Sequence, residues 1–246
     1  MDKNNANKKT GRGCLPALLI AVAAAAVLLG ALLPEREPPV ESTRPPVTAP
    51  RETMPLTEKQ EHVELGNGLV IEMMDRYAGI YMEDGSNEVV QDVMMLMVCN
   101  TSEQDLQLAR IRVHYPEYTA EFELTNLPTG ARAVVLEKGR RSVGSESWLN
   151  IETENVVFFS EPMDLMPDRL ELGGKAGLVE VTNISGGDLE GPVYVYYKNS
   201  AEDLFYGGIT YRVTVSQGLK AGETVRIPAG HYDPENCSFV MAACAG

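Results

Sequence analysis

The chain has 246 residues, of which 44% are apolar and 23% are charged. These fractions are close to the averages of globular proteins, so disorder or a collagen-like fold is excluded for most of the chain. The 35 acidic residues outnumber the 21 basic residues and give a net charge of −14. This charge excludes a nucleic-acid partner bound through a broad basic face.

The N-terminal region has the features of a membrane anchor. Residues 1–12 carry four basic side chains and one acidic side chain, and they are followed by an uncharged apolar run from Cys14 to Leu33. The run is long enough to cross a hydrocarbon core of about 30 Å. It predicts a cytoplasmic basic stub over 1–12, a transmembrane helix over 13–33 and a body outside the cell membrane. The alternative is a cleaved signal peptide, but the apolar run exceeds the usual length of its hydrophobic region.

A proline-rich linker follows the apolar run. Seven prolines lie between positions 34 and 56. Proline restricts φ and lacks a backbone donor, so this composition predicts an extended, polyproline-like spacer over 34–60. Such a spacer would hold the body away from the membrane.

The body has the pattern of a β protein. Short runs rich in Val, Ile, Tyr and Thr alternate with Gly, Asn, Asp and Pro, and no long helical period competes with them. The predicted strands are 68–74, 89–99, 106–115, 117–125, 131–137, 154–159, 177–183, 193–198, 204–216, 223–228 and 238–243.

Two stretches of the body match each other. The sequence from Asn100 to Leu106 (NTSEQDL) corresponds to Asn183 to Leu189 (NISGGDL), and the Leu127–Gly130 turn corresponds to Leu219–Gly222. The second copy needs a ten-residue insertion around 199–208. The pattern predicts an all-β fold with two tandem small β-sandwich (Ig-like) domains, over 61–165 and 166–246.

The order of apolar strand, Asn-x-Ser turn, Asp-Leu, Val/Tyr strand and Leu-x-x-Gly turn resembles the FxLYD-type small β-sandwich domains of bacterial envelope proteins. The resemblance covers 178–228 and, less closely, 95–136. It implies an envelope β-sandwich, and it carries no functional residues over, because the family has no established chemistry. After Tyr197 this chain lacks the Asp that the family tends to place there.

No catalytic or metal-binding pattern stands out, so no catalytic residue, metal ligand or cofactor is predicted. The three histidines, His62, His114 and His231, lack metal-ligand spacing. His114 has the opposite strand parity to its apolar neighbours and is predicted to face solvent. The acidic segment 83–88 predicts a hairpin turn, with a calcium loop as the alternative.

Two further patterns allow alternative interpretations. Cys99, Cys237 and Cys244 are predicted to be buried thiols, and the alternative is a disulfide from Cys99 to either of the others. Asn100 and Asn183 lie in formal glycosylation acceptors, but the repeated turn explains both residues.

One stripe of aromatic residues is a candidate ligand-binding surface. If Val193, Val195 and Tyr197 face the core, then Tyr194, Tyr196 and Lys198 face outward. On the next strand the same reasoning places Tyr206 and Arg212 outside. The candidate ligand-binding residues are therefore Tyr194, Tyr196, Tyr206 and Arg212. Such tyrosines are typical of surfaces that recognise glycan or protein, and they are also good strand formers.

These observations favour a non-enzymatic function. The first hypothesis is a single-pass membrane protein that acts outside the cell membrane as a binding or scaffolding module of the bacterial envelope, with an envelope protein or a glycan as its partner. The second is a structural subunit that assembles by strand addition. The third is an envelope hydrolase with acidic catalytic groups, although the sequence singles out no pair of carboxylates.

Overall fold

A computed structural model describes residues 62–142 and 147–244. Within these ranges the chain is all-β. It has no helix there, and therefore no helix that is long and apolar enough to cross a membrane. The predicted stub, transmembrane helix and linker fall outside the described residues. The strands are β1 (Val63–Glu64), β2 (Leu69–Ile80), β3 (Val89–Asn100), β4 (Leu106–His114), β5 (Thr119–Leu127), β6 (Arg132–Leu136), β7 (Asn150–Phe158), β8 (Leu170–Lys175), β9 (Leu178–Asn183), β10 (Val193–Ala201), β11 (Leu204–Val215), β12 (Thr224–Pro228) and β13 (Cys237–Cys244).

The strands form three sheets. A long sheet has the order β1-β2-β3-β6-β11-β10-β13. We call β5-β4-β7 the first cover sheet and β12-β9-β8 the second cover sheet. All pairs are antiparallel except β6 with β11, which is parallel.

The strand pairing repeats along the chain. In the first set, β2–β7, the pairs are β2-β3, β3-β6, β4-β5 and β4-β7. In the second set, β8–β13, the pairs are β8-β9, β9-β12, β10-β11 and β10-β13. Each strand of the first set therefore has a counterpart six strands later with the same partners. The parallel β6–β11 pair joins β2, β3 and β6 of the first set to β10, β11 and β13 of the second set in one continuous sheet.

Alternating apolar residues build the cores, as expected for half-buried strands. The first core lies between the long sheet and the first cover sheet. It contains Leu96 and Val98 from β3 and Ile111 and Phe122 from β4 and β5. The second core lies between the C-terminal half of the long sheet and the second cover sheet, where Val195 packs with residues of β9.

The two cover sheets lie on opposite faces of the long sheet. A third apolar cluster, which includes Val134 of β6, covers the face of the long sheet opposite the first core. Val134 pairs with Tyr206 of β11, and Tyr206 pairs with Asn199 of β10. Asn199 has the same strand parity as Tyr197, which belongs to the second core. The third cluster and the second core therefore share one face, and the first core lies on the other.

All eleven predicted strands are confirmed, with shifted ends. β7 begins at Asn150 rather than at position 154, and the predicted strands did not include β1 and β8. β8 reads LELGGK, and its two glycines together with Glu171 and Lys175 hide the strand pattern.

Candidate functional site

The two Asn-x-Ser turns have the same hydrogen bonds. The amide of Asn100 donates to the carbonyls of Gln104 (2.9 Å) and Leu127 (3.0 Å). The amide of Asn183 donates to the carbonyls of Gly187 (2.8 Å) and Leu219 (3.0 Å). Leu127 and Leu219 thus occupy equivalent positions. Both asparagine side chains are completely buried.

The remaining contacts of the turns also correspond. The hydroxyl of Ser102 donates to the Oδ1 of Asn100 (2.6 Å), and that of Ser185 donates to the Oδ1 of Asn183 (2.7 Å). The amide nitrogen of each asparagine is thus used in the fold and shielded from solvent. Neither side chain is available for glycosylation in the folded chain, which favours the turn interpretation.

The parallel pair β6–β11 is the centre of a buried polar cluster that we call the joint. Its residues are Glu83, Thr125, Lys198, Gly208 and Thr210. Beyond the paired residues the two strands separate, and β11 passes close to β5. A Cβ on Gly208 would lie 1.8 Å from the carbonyl oxygen of Glu123, so only glycine permits this approach. The hydroxyl of Thr125 completes the crossing by donating to the carbonyl of Gly208 (3.0 Å).

Lys198 is fully buried within the joint. Its ammonium donates to the backbone carbonyls of Thr125 (3.0 Å), Gly208 (3.0 Å) and Ile209 (2.8 Å). Three carbonyl acceptors require three donated protons, which only the charged ammonium has. Lys198 therefore ties β10 and β11 of the second set to β5 of the first.

Glu83 binds the same residue, Gly208, at its N–H rather than at its carbonyl. Its carboxylate accepts hydrogen bonds from the backbone N–H of Leu136 (2.8 Å) and of Gly208 (2.8 and 3.0 Å). Leu136 and Gly208 lie two positions beyond Val134 and Tyr206, the last pair of the β6–β11 ladder. The carboxylate therefore satisfies both donors at the point where the two strands separate.

Burial shifts the pKa of both charged groups toward neutrality. Burial raises the pKa of Glu83 to about 7, against the opposing effects of its backbone hydrogen bonds and of the Lys198 charge. Burial lowers the pKa of Lys198 to about 7, and the charge of Glu83 opposes this shift. Burial thus favours the neutral form of each group, and the charge of the other group favours its charged form.

Three of the four predicted binding residues lie together. Tyr196 pairs with Arg212 across β10 and β11, and Tyr194 pairs with Thr214. On the other side of β10, Tyr196 pairs with Met241 and Tyr194 with Ala243. Cross-strand partners lie on the same face of a sheet. We call these six residues the tyrosine face: Tyr194, Tyr196, Arg212, Thr214, Met241 and Ala243.

The structure places Tyr206 elsewhere. It packs against the third apolar cluster, on the opposite face of the long sheet. The cause is an irregularity in the β10–β11 ladder: Tyr211 pairs with Tyr197 and Tyr206 pairs with Asn199, so β11 has four intervening residues where β10 has one. Between these two pairs β11 advances five positions and β10 advances two. Because five is odd and two is even, the alternation of side chains along β11 is reversed between Tyr206 and Arg212.

The expectation that Lys198 faces solvent is wrong. It shares a face with Tyr194 and Tyr196, as its parity predicted, but β5 covers this end of the face. The sequence contains one signal of this crossing. Gly207 and Gly208 are adjacent inside a strand pattern, where glycine often marks the close approach of another backbone. They also end the segment identified as an insertion.

The other candidates take structural positions. Asp84 and Glu88 of the acidic segment both form ion pairs with Arg140, which occupies the carboxylates that a calcium loop would use. No group of metal-ligating side chains was found among the described residues. Cys99, Cys237 and Cys244 are free thiols.

The outer face of the first cover sheet carries a ladder of charges. His114 lies there, as predicted, and its Nε2 is 2.9 Å from Glu152. The same face has a groove of about 250 Å³, and its lining includes Glu121 and Glu123. Arg112 lies 3.3 Å from Glu121. Burial raises the pKa of Glu123, but hydrogen bonds from Lys138 and Arg110 outweigh it and keep that pKa below its usual value.

The charges of this groove are thus neutralised in pairs. Glu123 is 3.0 Å from the Nε of Arg110 and 3.1 Å from the Nζ of Lys138. A general acid needs a carboxyl group whose pKa is raised, and the groove gives Glu123 the opposite shift.

Comparison with known proteins adds no relative: no protein-family model, no curated protein and no solved structure matches this chain.

Proposed function

We propose that this chain is a membrane-anchored binding or scaffolding module of the bacterial cell envelope, displayed outside the cell membrane. The observation that carries the proposal is the tyrosine face, an aromatic sheet surface that neither cover sheet occupies. The second cover sheet packs on the opposite side of the same strands, and β5 reaches only as far as Lys198. Tyr194 and Tyr196 are half-buried on this face and Arg212 is exposed, and partly exposed aromatic side chains favour recognition of a partner.

The rest of the proposal comes from the sequence. The apolar run of residues 13–33 would anchor the chain in the membrane, and the linker of residues 34–60 would carry the body outward. The two strand sets would be tandem β-sandwich domains of the Ig-like, FxLYD-resembling kind, over 61–165 and 166–246. The identical turns at Asn100 and Asn183 support a duplication.

Assembly by strand addition is a weaker second candidate because three of the edge strands, β7, β12 and β13, are protected. β12 ends at Pro228, and β7 is bulged at Asn155, which has a φ of 50°. The edge of β13 gives the N–H of Ala242 to the carbonyl of Asp164. Prolines, bulges and covering segments are the means by which edge strands avoid pairing with other chains. An envelope hydrolase is disfavoured by the paired carboxylates of the charged groove.

The proposal is tested by retention on envelope material. The full chain in detergent micelles is mixed with envelope fractions, and the bound share is measured by sedimentation. We expect the double variant Tyr194→Ser/Tyr196→Ser to lose most of its retention with little change in its thermal midpoint. The matched control is Thr182→Ala/Thr224→Ala, on the outer face of the second cover sheet, and it should bind like the unchanged chain. Equal retention of all three proteins would refute a binding role for the face.

The topology is tested separately. Protease added to intact cells should remove the body and leave a small protected N-terminal fragment. A protected body would contradict the proposed orientation, and a mature N-terminus beyond Leu33 would replace the anchor by a cleaved signal peptide.

A further inference from the structure

The tyrosine face contains no carboxylate, although the chain has 35 acidic residues. Its one charged member is Arg212, which is exposed. The guanidinium carbon lies 5.3 Å from the centroid of the Tyr194 ring. Arg212 forms no ion pair with any residue that the structure describes. An exposed guanidinium on an aromatic surface, without a counter-charge, is suited to an anionic group.

The size of the face limits the shape of its occupant. It spans three strands, about 14 Å, and three residues along each strand, about 10 Å, at ordinary strand spacings. The resulting area of about 140 Å² is far below the roughly 800 Å² that each partner buries in a typical protein complex. Small-molecule sites are concave, whereas this surface is a sheet face. A narrow polymer chain laid across the strands matches both limits.

The chemistry of the face specifies the polymer. Tyrosine rings offer apolar area to which the C–H face of a sugar ring can stack. Arg212 can bind a carboxylate through two parallel hydrogen bonds. We propose that the tyrosine face binds an anionic polysaccharide, with the sugar ring on Tyr196 and the carboxylate on Arg212. This inference rests on the proposed binding function and names its ligand class.

The charge of the remaining surface strengthens the selectivity of the site. The chain as a whole carries −14, so a polyanion is repelled by most of the body. Binding is therefore confined to the face that lacks carboxylates.

The test uses the full chain in detergent micelles and titration calorimetry with three probes. The probes are polygalacturonate, an anionic polysaccharide; dextran, a neutral polysaccharide; and polyglutamate, an anionic peptide. We expect polygalacturonate to bind, with at least tenfold weaker binding of the other two. Arg212→Gln should weaken binding of polygalacturonate about tenfold, the loss of one charge-assisted contact. Arg212→Lys should recover part of it, since the charge remains.

Lys220→Gln is the matched control for Arg212→Gln. Lys220 is also exposed and also free of ion pairs among the described residues, but it lies in the Leu219–Gly222 turn away from the face. Its removal should change the affinity by less than about twofold, because a contact outside the site contributes little. Equal losses in both variants would show a general charge effect and overturn the inference.

The outcomes separate this inference from the proposed function. Preference for polyglutamate would overturn the polysaccharide and leave a binding face for an acidic protein. Absence of binding to every probe, with envelope retention still dependent on Tyr194 and Tyr196, would also overturn the polysaccharide alone. Absence of binding together with retention that ignores the tyrosines would overturn both proposals.

Discussion

The Asn turns and the joint hold the same fold by different means. The turns are duplicated, uncharged and local: Asn100 and Asn183 each close one strand set through backbone carbonyls. The joint occurs once, is charged and connects distant parts of the chain through Lys198 and Glu83. The turns therefore define each strand set, whereas the joint sets how one set continues into the next.

The two strand sets differ where the joint forms. In the first set, Leu136 of β6 offers its N–H to Glu83 beside β11. The equivalent position in β12 is Pro228, which has no N–H. On the face of β6 opposite the first core lies the apolar Val134, in the third cluster. The equivalent position in β12 is the charged Arg226, whose Nε is 2.6 Å from Glu180. The edge of β6 is thus suited to pairing with another strand, whereas Pro228 and Arg226 make the edge of β12 unsuited to pairing.

The largest expected effect comes from removing the buried charge of the joint. Lys198→Met leaves Glu83 without the nearby opposite charge and removes the three hydrogen bonds from the ammonium to backbone carbonyls. We expect the free energy of unfolding to fall by about 3–5 kcal/mol. The two strand sets should then unfold in separate transitions. Denaturant unfolding of the full chain in detergent micelles measures both quantities.

Two further variants check the cause of that loss. Glu83→Gln combined with Lys198→Met should restore part of the stability, because no unpaired charge remains buried. Lys220→Met at the surface should change the stability by no more than about 0.5 kcal/mol. A Lys198→Met chain as stable as the unchanged chain would show that the joint holds nothing together.

The steric side of the joint gives the next largest effect. In Gly208→Ala, the new methyl group would collide with the carbonyl oxygen of Glu123, a backbone atom that cannot turn away. We expect a loss of about 3 kcal/mol. Gly222→Ala is the control, because its φ of +75° strains an alanine but no atom lies within 4 Å, and it should cost only about 1 kcal/mol. A loss at Gly208 no larger than that at Gly222 would show that the β5–β11 approach does not require glycine.

The turns should respond equally to the same substitution. Asn100→Ala and Asn183→Ala each remove two hydrogen bonds, one of them to a buried leucine carbonyl, so each should lose about 2 kcal/mol of unfolding free energy. Because the contacts correspond one to one, the two losses should agree within about 0.5 kcal/mol. Ile184→Ala, an exposed neighbour, is the control and should be nearly neutral. A loss confined to one of the two asparagines would contradict their equivalence.

The sequence predicted the turns and missed the joint for physical reasons. The turn contacts of Asn100 and Asn183 are short-range or follow from a repeated motif, so they are visible in the order of residues. The joint depends on Glu83 meeting β11 across 125 positions of the chain. The parity rule placed Tyr194, Tyr196 and Arg212 correctly with respect to one another because the strands there pair regularly. It failed for Tyr206, where extra residues in β11 reverse the alternation.

The smallest expected effect separates the two regions by pH. Since burial raises the pKa of Glu83 to about 7, the folded chain retains a proton between pH 7 and 5 that the unfolded chain has mostly released. Since burial lowers the pKa of Lys198 to about 7, the folded chain has lost a proton above pH 7 that the unfolded chain still holds. The contribution of the joint to the unfolding free energy should therefore be lowest near pH 7. It should rise on both sides by at most about 1.4 kcal/mol per pH unit.

The turns contribute no such dependence through their asparagine amides, which do not titrate. Subtracting the pH profile of Glu83→Gln/Lys198→Met from that of the unchanged chain isolates the joint, and denaturant unfolding at pH 5, 7 and 9 suffices. Asn100→Ala should lower the unfolding free energy by the same amount at each of these pH values. A difference profile that is flat across this range would show that the two buried groups keep the pKa values they have in water, and that burial at the joint is incomplete.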